Sequence, residues 1–160
     1  MPSPAMTTWY RRAQIDYVSH YVSLYTAFNA WYREVTGKTN DREALNILRR
    51  GNAIWDAYSR GEALRALTMH MVYLVEFTQR EPLSYATPHW RGEVSHTKDW
   101  PSLIEYWYRV RCLVVHGVEI RPAYVYLAYE TLNSFMGEVI EMQQRGNSLP
   151  DCLQSPKTSV

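Results

Sequence analysis

The sequence has little of what several large protein classes depend on. Its 160 residues include two cysteines, Cys112 and Cys152, whose separation is typical of neither a disulfide framework nor a metal site. We therefore expect two reduced thiols in a reducing compartment. No apolar run approaches the length that a membrane span needs, and residues 1–6 lack the pattern of a secretory signal. These absences predict a soluble, cytoplasmic protein.

Charge of either sign is not in excess, because 17 Lys and Arg residues stand against 16 Asp and Glu residues. Proteins that coat nucleic acid usually show a strong basic footprint, so any nucleic acid must be held locally. The sequence also lacks a phosphate-cradling glycine loop, a zinc-binding cluster and a nucleophile elbow. We therefore expect no metal and no cofactor.

Aromatic residues are abundant, with 13 Tyr and 6 Trp. Such side chains can stack on nucleic-acid bases, but we expect most of them in the core. Apolar residues recur at helical intervals, and no strand pattern or internal repeat competes with them. The sequence predicts an all-α fold: an antiparallel bundle of four to five helices in one domain over residues 7–146, followed by a disordered tail over residues 147–160.

Capping residues set the predicted ends of the helices. Thr7 or Thr8 can cap the first helix, which Gly37 ends, and Asn40 and Asp99 can cap two later ones. On the last helix, Ile140 is expected to face the core. We predict helices over residues 8–35, 41–50, 62–79, 101–116 and 123–145, with a short helical piece through Trp55 and Tyr58.

The sequence Tyr-Arg-Val-Arg-Cys-Leu-Val-Val-His-Gly, near the end of the fourth long helix, is the most informative segment. On an ideal helix Arg111 falls within an apolar stripe, where a guanidinium needs a carboxylate, a phosphate or a water-filled cleft as its partner. Arg109 points elsewhere, and its spacing from Glu105 is that of an ordinary exposed ion pair. His116 lies about 140° from Arg111 around the helix axis and nearer to Arg109. Unwinding of the last turn at Gly117 would bring His116 towards the Arg111 face.

The spacing of arginine and histidine in this segment resembles that of the HEPN (higher eukaryotes and prokaryotes nucleotide-binding) family. The signature of that family is an Arg, four to six residues, and a His. Arg111 and His116 fit it with four intervening residues, and Arg109 and His116 with six. The segment Phe-Asn-Ala-Trp-Tyr at residues 28–32 adds to the resemblance, which spans roughly residues 9–145.

The resemblance implies a HEPN-like helical bundle and a metal-independent endoribonuclease, such as a toxin or a defence or stress component. Arg111 and His116 would be catalytic across a homodimer interface, with Asn29, Tyr32 and Arg109 in support. RNA would be the substrate, and an antitoxin protein could be a further partner. The purely structural interpretation of His116 is a residue whose charged form complements the helix dipole at the C-terminal end.

Two other interpretations stay open. Cys112 and Leu113 stand where the family usually has a polar residue, which favours a non-catalytic module that binds RNA or a nucleotide, or pairs with a protein. Alternatively, the chain is an interaction scaffold in which Arg111 satisfies an internal carboxylate such as Glu76. Asn29 could likewise be a structural tie between helices, because a buried amide needs hydrogen-bond partners.

Residues 80–99 contain Pro82, Pro88 and Gly92 and show no sustained period, which predicts a long loop. Loops of this length in compact domains are often functional. The loop is either an RNA-contacting segment or a plain connection, and its basic and aromatic residues are the candidates for RNA contact. These residues are His89, Trp90, Arg91, His96 and Lys98.

Overall fold

The computed structural model describes residues 1–13, 16–50, 63–83 and 90–146, in which the regular elements are helices. The predicted all-α fold is confirmed. The predicted helical piece through Trp55 and Tyr58 and the predicted tail lie outside the described residues. None of the described helices is long and apolar enough to cross a membrane. The helices are α1 (Pro4–Ala13), α2 (Tyr17–Thr36), α3 (Asp41–Arg50), α4 (Ala63–Arg80), α5 (Trp100–Val115) and α6 (Pro122–Gln144).

The start of the first helix differs from the prediction, which placed a cap at Thr7 or Thr8. Ser3 caps α1 instead, because its Oγ accepts the backbone N–H of Met6 at 3.2 Å. The Thr7 and Thr8 hydroxyls donate to the carbonyls of Ser3 and Pro4, one helical turn back. Both threonines therefore lie inside the helix, where such a bond to the preceding turn is common.

The predicted first helix is also divided in two. Asp16 begins α2 anew, since its carboxylate accepts the backbone N–H of Ser19 at 3.1 Å and the Ser19 hydroxyl at 2.6 Å. An aspartate that caps a new helix competes with propagation of the previous one. Apolar periodicity alone did not reveal this break.

The other predicted caps are confirmed. Asn40 Oδ1 accepts the backbone N–H of Arg42 at 2.9 Å and so begins α3. Asp99 Oδ1 accepts that of Ser102 at 3.3 Å and begins α5. Gly37 ends α2 with φ 67°, a left-handed conformation that favours glycine.

Aromatic rings supply most of the largest fully buried side chains, as the sequence predicts. Trp107 on α5 lies 5.3 Å from Phe28 on α2 and 5.7 Å from Phe135 on α6, between ring centroids. Trp100 packs edge-on against Trp107 at 5.9 Å. Ile140 is an exception to the prediction: it is 48% exposed, because its neighbour Val139 takes the inward position.

Polar atoms of the buried rings tie the helices together. The Trp107 indole donates to Thr131 Oγ1 at 2.8 Å, and the Trp100 indole donates to the Leu48 carbonyl at 3.1 Å. The Tyr21 hydroxyl donates to the Trp107 carbonyl at 2.6 Å. Because buried donors need partners, these bonds fix α5 against α2, α3 and α6, which all contact it.

Candidate functional site

Arg111 lies half-buried on α5, and its guanidinium group lies over an aromatic ring. Its guanidinium carbon lies 5.5 Å from the centroid of the Tyr25 ring on α2. Within the described part of the chain no carboxylate forms an ion pair with it, and Glu76 pairs with Arg80 at 3.9 Å. A cation over a ring is only partly compensated. The guanidinium therefore retains donors for an anion.

Tyr25 itself is almost fully buried, at 2% exposure. Its hydroxyl lies near that of Tyr32 but forms no well-aligned hydrogen bond with any described residue. Burial raises the pKa of Tyr25 far above its ordinary value, and the neighbouring hydroxyls of Tyr32 and Tyr21 raise it further. Arg111 thus rests on a ring that stays neutral at physiological pH.

Asn29 and Tyr32, the predicted supporting residues, join α2 to α3. The Asn29 amide donates to the Tyr32 hydroxyl and, at 3.0 Å, to Asp41 Oδ1. Arg33 also donates to Asp41 Oδ1, at 3.0 Å. Burial raises the pKa of Tyr32 to about 12. Because it bonds to a residue of α3, Asn29 acts as a tie between the two helices. No hydrogen bond from Asn29 or Tyr32 to Arg111 is found among the described residues.

The predicted pair of Glu105 and Arg109 forms, with Arg109 Nε donating to Glu105 Oε1 at 3.2 Å, but it is part-buried and not exposed as predicted. Glu105 has a second partner that sequence reasoning missed. Its Oε2 accepts a hydrogen bond from Arg49 on α3, and Arg49 Nη1 donates to Asn46 Oδ1 at 2.7 Å. One carboxylate therefore holds two guanidinium groups from two helices.

These residues border an open groove between α3 and α5, the α3–α5 groove, with a volume of about 530 Å³. Three arginines face one carboxylate here, which leaves an excess of two positive charges. The whole chain carries a net charge of only +1. The lining residues are Arg42, Leu45, Asn46, Arg49, Trp90, Pro101, Ser102, Glu105, Tyr108, Arg109 and Cys112.

His116 is exposed and caps the C-terminal end of α5. Its backbone N–H donates to the Cys112 carbonyl at 3.0 Å, so the helical path reaches this residue, and Gly117 turns left-handed (φ 68°) only afterwards. On such a path Arg109 and His116 differ by about 20° in direction, whereas Arg111 differs by about 140°. His116 therefore continues the α5 face that lines the groove, one turn beyond Cys112. The structure does not turn it towards Arg111 of the same chain.

The loop residues are placed differently from one another. Trp90 is 8% exposed and its indole donates to the Glu93 carbonyl at 3.0 Å, so its ring belongs to the groove floor rather than to an exposed stacking surface. Arg91, His96 and Lys98 are exposed. His89 lies outside the described residues.

No cluster of three or more His, Cys, Asp and Glu side chains suited to a metal ion is found in the described part of the chain.

Comparisons with protein-family models, with curated protein sequences and with solved structures found no match. The resemblance stated above therefore depends on the arginine, histidine and asparagine positions themselves.

Proposed function

We propose that the protein is a HEPN-like, metal-independent endoribonuclease. The observation that carries the proposal is the position of His116. It is exposed at the C-terminal end of α5, one turn beyond Cys112, the last α5 residue that lines the groove. Arg111 adds a guanidinium with no carboxylate partner in the described residues. A basic groove beside an exposed imidazole suits a phosphate-bearing substrate.

RNA carries its own nucleophile, the 2′-hydroxyl. In the proposed step a base takes the proton of this hydroxyl, and its oxygen forms a bond to the adjacent phosphorus. The bond from phosphorus to the 5′-oxygen of the next nucleotide breaks, and that oxygen receives a proton. The products are a 2′,3′-cyclic phosphate and a 5′-hydroxyl end. Histidine suits either proton transfer because it exchanges protons near neutral pH.

The arginines would stabilise the negative charge that grows on the phosphate oxygens. Arg109 points in nearly the same direction as His116, which favours the six-residue spacing within one chain. Arg111 lies on another side of α5, beside Tyr25, and would meet the imidazole of a second copy. One histidine cannot readily serve both proton transfers, so the proposal includes a homodimer with two-fold symmetry. A toxin, defence or stress role and an antitoxin partner belong to it as well.

The test is cleavage of single-stranded RNA in the presence of EDTA. His116→Ala should lower the cleavage rate at least about 100-fold, which is typical for loss of a general acid or base. The fold should survive, because His116 is exposed. His20→Ala, which removes an exposed histidine of α2 that does not line the groove, is the matched control and should cleave at the normal rate. Equal activity in both variants, or a protein that sediments only as a monomer at micromolar concentration, would contradict the proposal.

A second candidate is a non-catalytic module that binds RNA or a nucleotide. It is favoured by the way in which the two motif arginines are held, since Glu105 pairs with Arg109 and Tyr25 lies under Arg111. Binding of RNA without any turnover, and with no effect of His116→Ala on affinity, would select this candidate.

A further inference from the structure

We infer that the α3–α5 groove is a track for the phosphate backbone of a single-stranded RNA, with the α3 residue Arg42 as its outer contact. This inference deepens the proposed function and rests on it. The arginines of α3 are far from the motif in sequence, and the family resemblance assigns them no role.

The first argument is charge. The groove holds three guanidinium groups and one carboxylate, so its excess of two positive charges is larger than the net charge of the whole chain, +1. Affinity for nucleic-acid strands comes largely from such local neutralisation of phosphates. The balanced composition therefore does not oppose RNA binding at this position.

The second argument is the supply of hydrogen-bond donors. Arg109 uses Nε to bind Glu105, which leaves its two terminal amino groups without a partner among the described residues. The side chain of Arg42 is exposed and likewise makes no ion pair with a described carboxylate. Planar guanidinium forks match phosphate oxygens well.

The third argument is that the groove is already organised. Glu105 is 13% exposed and fixes Arg49 and Arg109 from opposite helices, so little side-chain freedom remains to be lost on binding. Tyr108 lies on the same wall, with the Arg109 guanidinium 6.0 Å from its ring centroid. An aromatic ring beside a basic track is how many proteins hold single strands, because bases stack on it.

The experiment measures binding of a fluorescent single-stranded RNA whose riboses carry 2′-O-methyl groups, so that it has no nucleophile and cannot be cleaved. Arg42→Glu should weaken binding at least tenfold and flatten the dependence of affinity on salt. The log–log slope should fall by about 0.7 for each phosphate that the variant no longer neutralises. Arg80→Glu is the matched control: it makes the same charge change on the exposed end of α4, outside the groove, and should alter affinity less than twofold.

If Arg42→Glu and Arg80→Glu weaken RNA binding equally, the inference is overturned, because the net charge of the protein would then explain the affinity. Competition by AMP as effective as that by unlabelled RNA would also overturn it, since the groove would then take a free nucleotide. The outcome is separable from that of the proposed function. If His116→Ala abolishes cleavage of ordinary RNA while Arg42→Glu binds normally, the groove assignment fails and the nuclease stands. If the groove binds the methylated strand but ordinary RNA stays intact, the nuclease fails and the groove stands.

Discussion

Two surfaces of the molecule differ in how they are built. The α3–α5 groove is lined by three arginines and one glutamate, whereas the surface of α4 and α6 exposes Met69, Val72, Tyr73 and Tyr126. On that second surface, which we call the tyrosine surface, Tyr126 packs edge-on against Tyr17 at 5.1 Å. The difference shows that a chain with a net charge of +1 can still carry a local excess of positive charge on one surface.

The two surfaces should respond differently to substitution, and the largest change in stability is expected at Glu105. Glu105→Ala leaves Arg49 and Arg109 without their shared carboxylate, with side chains only 27% and 30% exposed. Removing one partner from a fully buried pair costs about 3–5 kcal/mol, and partial exposure should reduce this to about 2 kcal/mol. Urea denaturation measures the change in the free energy of unfolding.

Glu76→Ala is the control for this substitution, because it removes the carboxylate of the exposed pair with Arg80. Surface pairs of this kind contribute about 0–1 kcal/mol. If both variants are destabilised equally, the groove is no more organised than an ordinary surface, and the contrast drawn above disappears.

On the tyrosine surface, Tyr126→Ala should cost about 1 kcal/mol, since it removes an edge-to-face contact with Tyr17. We expect this cost to be the same at low and high salt, because no ion pair is broken. Affinity for single-stranded RNA should stay within twofold of the original, as measured by fluorescence anisotropy. A large decrease in RNA binding would assign the strand to this surface instead.

The smallest effect is expected from acid at the α2–α3 junction beside the groove. Burial raises the pKa of Asp41, but hydrogen bonds from Arg33, Tyr32 and Asn29 outweigh burial and lower the pKa below its ordinary value, 3.8. A carboxyl group with a lowered folded-state pKa stabilises the protein above the unfolded-state pKa. This contribution is lost as pH falls below about 4 and through the folded-state value.

Asp41→Asn should therefore remove part of the decline in stability below about pH 4. Urea denaturation at pH 7 and at pH 3 measures that decline in both proteins. An identical decline in the variant would mean that other carboxyl groups account for all of it.

Much of the fold could be predicted from the sequence because its determinants are local. Asn40, Asp99, Gly37 and Gly117 act on their own helix ends, and each does so where the sequence places it. The break before α2 was missed because a single capping residue, Asp16, decides it within an otherwise continuous apolar pattern.

The candidate site was less predictable because its contacts are distant in sequence. The spacing of Glu105 and Arg109 predicted their pair, but Arg49 reaches the same carboxylate from 56 residues away, and no helical rule connects them. The sequence also showed that Arg111 needs a partner, but could not show that this partner is the ring of Tyr25. One signal for the groove was available in the sequence: Arg42 and Arg49 are seven residues apart, which places both on the same face of α3.

Gly92 is a position at which substitution by any other residue should be unfavourable. Its φ of +83° is already unfavourable for other residues, and an added Cβ would clash with the Leu83 carbonyl oxygen. Gly92 follows two residues after Trp90, which lines the groove. The Gly92 carbonyl accepts the Leu83 backbone N–H at 2.9 Å. A larger residue at position 92 would therefore have to displace the Leu83 backbone, and it would disturb the short segment that carries Trp90.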